Sequence, residues 1–335
     1  MKYSVREDWL AQVVEPAFEP AWEVVDPHHH FFSSGDFFQR YDLDSLQADT
    51  AAHRVAQTVF VQCGEHHFTT GPEALRPVGE TMWVDGLATA ARSRPDMAHI
   101  GAIVGTAELR LGAEVGKVLD AHARASRLFR GIRLAAAYDE AEAVPVMTPV
   151  TDAALYRDPD FRAGFALLEQ RGLSFDAWHY YHQTPLLGEL ASAFPRTVIV
   201  LDHLGTPLGV GPYAGRHDEI FTIWARDLDA LARLPNVYLK LGGLAMPWNG
   251  FDLEQRDLPP TSDEIVALHG RYYRHAIDTF GASRCMFESN FPVDKFSVSY
   301  TVLWNAFKKI ASAYPAAERK ALLAGTAKQV YRLDA

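Results

Sequence analysis

The sequence predicts a (β/α)8 barrel, on three observations. Eight short runs rich in β-branched residues recur along the chain, stretches of helical periodicity separate them, and polar residues gather where the runs end. Eight strands alternating with helices make a parallel sheet, and eight is the number that closes such a barrel. The runs are 22–26, 55–62, 100–106, 129–134, 173–178, 197–202, 237–241 and 284–289. Between them, 114–125, 161–171, 185–194, 221–234 and 262–280 carry helix-like spacing of apolar residues. Gly172 punctuates the end of 161–171, and Ser262 with Asp263 opens the segment before Glu264. An open doubly wound sheet shows the same alternation, but no Gly-x-Gly-x-x-Gly opens the first unit here. Residues 1–335 therefore read as one barrel, with 1–20 as a leader and a terminal helix at 316–330 packed outside.

Composition narrows the function class by exclusion. Forty-two acidic residues stand against 32 basic ones, a formal charge of −10, with no Lys/Arg cluster to track a phosphate backbone. No apolar stretch approaches the ~18 residues of a membrane span, and Arg6, Glu7, Asp8 and Glu15 interrupt any signal-like region at the start. Two cysteines far apart, Cys63 and Cys285, suit a reducing cytosol. The expectation is a cytoplasmic protein with a small-molecule substrate and neither nucleic acid nor membrane as partner.

Chemistry in such a barrel sits where strands end and βα loops begin. The first strand runs into Asp26, His28 and His30, which strict alternation puts on one face with His29 on the other. Two imidazoles at i and i+2 can chelate a divalent metal or hold a substrate oxyanion. The second strand ends in Gln62, Cys63, Glu65, His66 and His67, and the fourth carries Arg130 and Arg133. The fifth runs into His179, Tyr180, Tyr181, His182 and Gln183. The sixth ends in Asp202-His203-Leu204-Gly205, the seventh carries Lys240, and the eighth ends in Glu288-Ser289-Asn290-Phe291-Pro292. For His66, His67 and His217 a solvated loop is the plainer reading.

Four of these stretches together resemble a known family. Val25-Asp26-Pro27-His28-His29-His30, Phe129-Arg130-Gly131-Ile132-Arg133, Ile199-Val200-Leu201-Asp202-His203-Leu204-Gly205 and Arg284-Cys285-Met286-Phe287-Glu288-Ser289-Asn290-Phe291-Pro292 are similar to the amidohydrolase-2 branch of the amidohydrolase superfamily. Within it the chain resembles the 2-pyrone-4,6-dicarboxylate and sugar-lactone lactonases, and aromatic-acid decarboxylases share the pattern. The resemblance implies a TIM barrel, His28 and His30 as the first-strand metal or substrate pair, and His203 as the histidine that orients or polarises the substrate.

The eighth strand departs from that pattern. Asn290 stands where the superfamily usually has an aspartate that binds metal and takes a proton from water. A neutral amide cannot act as a general base near neutral pH. Glu288, two residues earlier on the same face, is one replacement carboxylate, and Lys240 on the neighbouring strand is its expected ion partner, for structure or for function. Asp294 is another, read more plainly as a surface loop acid, and His179 or His182 is a third candidate base. Two cofactor readings stand. One Zn²⁺ or Mn²⁺ sits on His28, His30 and a further ligand; or the site is metal-independent, and His28, His30 and His203 polarise an activated carbonyl directly. Loss of the aspartate weighs toward a weakly held or absent metal.

The substrate class follows from the strand faces. Arg130 and Arg133 cannot share one, and the Gly131/Arg133 face is expected inward, where an arginine suits a substrate carboxylate. His179 and Tyr181 are the further substrate-contact candidates. The long loops 135–160 and 242–261 suggest a lid, and Phe31, Phe32, Phe37 and Phe38 an apolar pocket or the interface of a homodimer. The expected activity is hydrolysis of a lactone or activated ester of a small carboxylated or aryl-containing substrate, with His203, Glu288, Asn290 and His182 as catalytic candidates. The alternative is a metal-dependent aromatic-acid decarboxylase of the same fold.

Overall fold

A computed structural model describes residues 4–33, 38–94, 97–145 and 153–333. Eight strands occur in it, β1 Val24–His29, β2 Val55–Val61, β3 His99–Gly105, β4 Phe129–Ala135, β5 Ser174–Trp178, β6 Ile199–Leu201, β7 Val237–Leu241 and β8 Cys285–Phe287. They pair in sequence order, all in parallel. The circle closes just past β8, where His29 and Phe291 form a parallel bridge and the His30 N–H donates to the Phe291 carbonyl at 2.8 Å. This is the (β/α)8 barrel the sequence predicts, with helices between the strands.

The helices begin where local chemistry lets them. Asp158 accepts from the Asp160 and Phe161 N–H groups ahead of Pro159, whose fixed φ suits the first helical position of Pro159–Gln170. Thr261, one residue earlier than the expected Ser262, forms a reciprocal capping box with Glu264 at the start of Ser262–Phe280. Ser299 caps Tyr300–Ala311 through the Val302 N–H. Gly172, at φ +60°, ends its helix as expected.

Two apolar layers follow from strand alternation. Outward residues such as Val24, Phe60, Ile103, Ile132, Phe175, Leu239 and Phe287 pack under the helices. Inward residues Val25, Val59, Val61, Ala102, Val104, Val200 and Met286 fill the lower barrel. The chain's terminal segment departs from expectation here. Ala324, Ala327, Val330 and Tyr331 pack against the inward set, and Arg130 near the start of β4 donates to the Tyr331 carbonyl at 2.9 Å. The segment therefore caps the bottom of the barrel. Its apolar residues match the open end of an interior made of valine, alanine and Met286.

The N-terminal segment folds back on the mouth side. Trp9 donates its indole N–H to the Arg256 and Asp257 carbonyls, and Glu15 accepts from the Ser262 N–H and the Asn305 amide. Among the described residues, no helix is long and apolar enough to cross a membrane.

Candidate active site

The site is set by an irregularity in β1. Alternation holds from Val24, outward, to Val25, inward, and to Asp26, outward. The register then shifts between Asp26 and His29, around Pro27, which has no N–H to give the ladder. After the bulge His28 and His30 share the inner face, their Nε2 atoms 3.2 Å apart, and His29 packs outward against Phe31 and Phe60. Asp26 is thus separated from the two histidines it was expected to join. Its carboxylate accepts from the Ser289 N–H at 3.0 Å and the Tyr300 hydroxyl at 3.0 Å, and burial pushes its pKa up to about 6.

Above the apolar floor lies a layer of buried charge. Lys240 Nζ sits 2.7 Å from Asp176 Oδ2, 3.0 Å from Asp202 Oδ1 and 3.1 Å from His28 Nδ1, all at zero exposure. The Tyr331 hydroxyl donates to the same Asp176 oxygen at 2.6 Å. Burial opposes the lysine's charge, but the carboxylates of Asp176, Asp202 and Glu288 overcome it and hold the ammonium protonated. Burial, followed by the Lys240 charge, keeps His28 well below the ordinary imidazole range, so this histidine is neutral. The expected Lys240–Glu288 pair is replaced by this cluster. A long lysine on β7 reaches across β6 to β5, while Glu288 turns to two imidazoles.

Glu288 Oε1 accepts from both His203 Nδ1 at 2.6 Å and the His203 backbone N–H at 3.2 Å, and Oε2 stands 2.9 Å from His28 Nδ1. Burial would raise this carboxyl, yet the two facing imidazoles take its pKa down to about 2. The His203 Nδ1–H and backbone N–H, both donated to Oε1, favour the charged form of this carboxyl. Glu288 is consequently a carboxylate that anchors imidazoles, and too weak a base to take a proton from water.

His203 reaches this geometry through a left-handed turn. His203, Leu204, Gly205 and Thr206 have φ of 54°, 57°, 66° and 44°, a conformation that L-residues adopt at a cost. The turn is fixed by the His203–Glu288 contacts, by Trp224 donating to the Leu204 carbonyl at 2.6 Å and by Trp178 donating to the Thr206 hydroxyl at 3.0 Å. Gly243 leaves room for the ring, because a Cβ there would lie 2.6 Å from His203 Cβ.

The His203 ring faces a cavity at the barrel mouth with about 190 Å³ of space for water-sized molecules. Polar groups on its wall are His30, Gln62, Cys63, Arg133 and Asn290, and apolar ones include Phe32, Phe38, Trp178, Met246, Trp248 and Val293. Among the described residues, no carboxylate lines it. Arg133 is 7% exposed, donates to the Gln62 carbonyl and lies 5.9 Å from the Trp178 ring, while its Nε has no partner. A guanidinium this buried, with no carboxylate against it among the described residues, is suited to an anionic ligand.

Asn290, at φ +56°, donates its amide N–H to Asp294 Oδ1 at 2.9 Å. Asp294 is 1% exposed, in place of the surface position its loop setting suggested, and accepts from the Ala245 N–H at 3.3 Å. Burial raises its pKa from 3.8 to about 7. The linkage has a definite sign. Between pH 4 and 7 the unfolded chain has released a proton that the folded chain keeps, so this group costs stability as pH rises through that window. Asp294→Asn is expected to flatten the fall in Tm from pH 4 to 7. An unchanged slope in thermal melts across that range would refute the assignment.

With this geometry in hand, comparison with known proteins places the chain. The amidohydrolase family model (Amidohydro_2) matches residues 25–333, nearly the whole chain. The protein belongs to the amidohydrolase family. An uncharacterised protein of Sinorhizobium fredii is 33% identical to this amidohydrolase over 331 residues, covering 92% of this chain and 98% of its own. An L-fucono-1,5-lactonase of Burkholderia multivorans is 32% identical over 241 residues, covering 71% of this chain and 73% of its own. A crystal structure of a Burkholderia multivorans amidohydrolase with bound HEPES superposes with a TM-score of 0.72 at 25% identity, covering 93% of this chain and 99% of that one.

The donor set of this amidohydrolase fits a divalent cation on His28 and His30. His30 Nδ1 donates to the Val61 carbonyl at 2.8 Å, so its Nε2 is a lone pair facing His28 Nε2. Two zinc–imidazole bonds at tetrahedral angles separate their nitrogens by about 3.3 Å, and the observed spacing is 3.2 Å. His28, Asp202 and His203 form a second set, with ligand atoms within 4.8 Å of one another. Lys240 already occupies Asp202, so a cation there would meet an ammonium group.

Sequence-predicted residues divide sharply. His28, His30, His203, Glu288, Asn290 and Arg133 converge on one centre. His179, Tyr181 and His182 are not on the cavity wall. His179 is buried between the Tyr156 hydroxyl at 3.2 Å and the Thr184 hydroxyl at 3.3 Å, and burial lowers it to about pKa 3. Tyr181 and His182 enter the 3-10 turn Tyr181–Gln183, where both rings pack near Tyr213 and His182 contacts the Tyr138 carbonyl at 3.2 Å. Phe32 and Phe38 do line the cavity, Phe31 stacks on Phe60 away from it, and Phe37 lies outside the described residues. Of the two expected lid loops, 242–261 supplies Met246 and Trp248 to the wall; residues 146–152 of the other lie outside the described residues. Asp176 is the residue the sequence reading left out, and Asp202 was named at the end of the sixth strand without a role, although alternation from Trp178 and from Val200 puts both inward.

Proposed function

We propose that this amidohydrolase opens a lactone or a comparably activated ester of a small carboxylated substrate. The observation that carries the reading is His203, whose Nδ1–H is held by Glu288 while the ring lines a cavity containing one buried guanidinium. A carboxylate behind an imidazole fixes its tautomer and supports the imidazolium that forms, leaving Nε2 free to take a proton. Water attacks the lactone carbonyl as His203 Nε2 removes its proton, and the imidazolium returns that proton to the departing ring oxygen. Arg133 pairs with the substrate carboxylate, and the rings of Phe32, Trp178 and Trp248 cover its apolar edge. His28 and His30 would hold a divalent cation, which would supply Lewis acidity at the carbonyl. The L-fucono-1,5-lactonase relative supports a lactone as the electrophile.

Titration at constant pH over a panel of lactones tests this, with one acid equivalent released per turnover and no CO₂ evolved. Stoichiometric CO₂ from aromatic acids with no lactone turnover would replace it with decarboxylation. Arg133→Gln is expected to lower kcat/KM for a carboxylated lactone roughly 10- to 100-fold, mainly in KM, the size of a lost charged hydrogen bond. A neutral lactone should be nearly unaffected, and equal loss on both would remove Arg133 from carboxylate recognition.

A further inference from the structure

The hydrogen bonds around His28 have one self-consistent ordering without a cation. His30 spends its Nδ1–H on the Val61 carbonyl, which can only accept, so the proton between the two Nε2 atoms belongs to His28. His28 Nδ1 is then a lone pair, and Lys240 Nζ donates to it at 3.1 Å. In that state Glu288 Oε2 faces a lone pair 2.9 Å away and has no hydrogen-bond partner, although fully buried. An orphaned carboxylate oxygen in such a place costs stability.

We propose that Glu288 is a positioning residue for a divalent cation: it accepts the Nδ1–H of His28 when the Nε2 atoms of His28 and His30 hold the ion. The exchange balances. The two nitrogens would replace two waters of the aqua ion, which would leave to solvent. His28 releases its Nε2 proton to solvent and takes one from solvent at Nδ1, staying neutral. Glu288 Oε2 gains the partner it lacks, Lys240 keeps Asp176 and Asp202, and Glu288 Oε1 keeps His203 throughout. A carboxylate that orients a metal-binding histidine through its far nitrogen makes that ligand more basic. In this chain the carboxylate sits at 288, two residues before the neutral Asn290, so the negative charge acts through an imidazole instead of touching the ion.

The inference rests on the cation reading of His28 and His30, and zinc is the probe. The full-length protein, stripped with a chelator and ¹⁵N-labelled at histidine, is titrated with Zn²⁺ against a competing chromophoric chelator. Long-range ¹H–¹⁵N spectra report the His28 tautomer, assigned by the signals lost in His28→Gln. The expected result is an Nε2–H tautomer without zinc and an Nδ1–H tautomer with it. Glu288→Gln presents one oxygen and one NH₂ and can satisfy only one of the two imidazoles, so its zinc Kd should rise roughly 10- to 100-fold. Zinc binding with an Nδ1–H tautomer already present beforehand, or equal affinity in Glu288→Gln, overturns the proposal. Should that variant fail to fold, the wild-type tautomer measurement decides alone. Absence of zinc binding by the wild type overturns both this and the cation reading, while lactone turnover in the same samples shows separately whether the hydrolase reading stands.

Discussion

His203→Asn is expected to lower kcat on a lactone substrate by at least ~100-fold, within the range lost with a positioned acid–base group. Asparagine is the informative replacement, because its amide nitrogen falls close to where Nδ1 was. It can still donate to Glu288 Oε1, which His203 Nδ1 meets at 2.6 Å. The buried carboxylate keeps a partner, and Tm should change little. What disappears is Nε2, the nitrogen free to accept a proton. Steady-state kinetics paired with thermal melts separate these effects. A fully active, normally stable variant would take His203 out of proton transfer; a large fall in Tm would make the turn's stability the cause.

Lys240→Met is expected to produce the largest loss of stability, about 3–5 kcal/mol, the scale for removing one partner of a buried ion pair. Methionine fills much of the lysine's volume, so cavity formation adds little. The cost lies in the carboxylates of Asp176 and Asp202, left at zero exposure without the ammonium that stands 2.7 and 3.0 Å from them. Urea unfolding measures this directly. Adding Asp176→Asn to Lys240→Met should recover part of the loss, since one stranded charge is removed. No recovery would point to packing as the source, and a loss under 1 kcal/mol would mean that water reaches the cluster.

Much of this architecture was legible in the sequence for simple reasons. Strand positions follow from β-branched runs, and each of the eight runs overlaps one strand. Polar strand ends marked the mouth, and the choice of the Gly131/Arg133 face as the inner one placed Arg133 on the cavity wall, where it lies. Asp26 failed because alternation was extended across Pro27, although a proline inside a strand is itself a sign of a bulge. Lys240 was matched to the adjacent strand because register alone cannot show how far a four-carbon side chain will reach. His182 was lost to the 3-10 turn Tyr181–Gln183 and His179 to a buried contact with the Tyr156 hydroxyl, partners more than 20 residues away in the chain that strand alternation does not show. The terminal helix was misplaced because amphipathicity identifies an apolar face and leaves open which surface it will cover.

That terminal helix carries a consequence for biosynthesis. Tyr331 seals the charged layer by donating to Asp176, a partner 155 positions earlier in the chain. A ribosome has therefore made every strand of the barrel well before the floor beneath Asp176 exists. Until residue 331 is made, Asp176 lacks the Tyr331 hydroxyl, and the lysine–aspartate cluster lacks one of its buried hydrogen bonds. The catalytic end of the molecule is thus completed from the opposite end and late, so nascent chains halted after β8 should hold a formed sheet around a centre that lacks this bond.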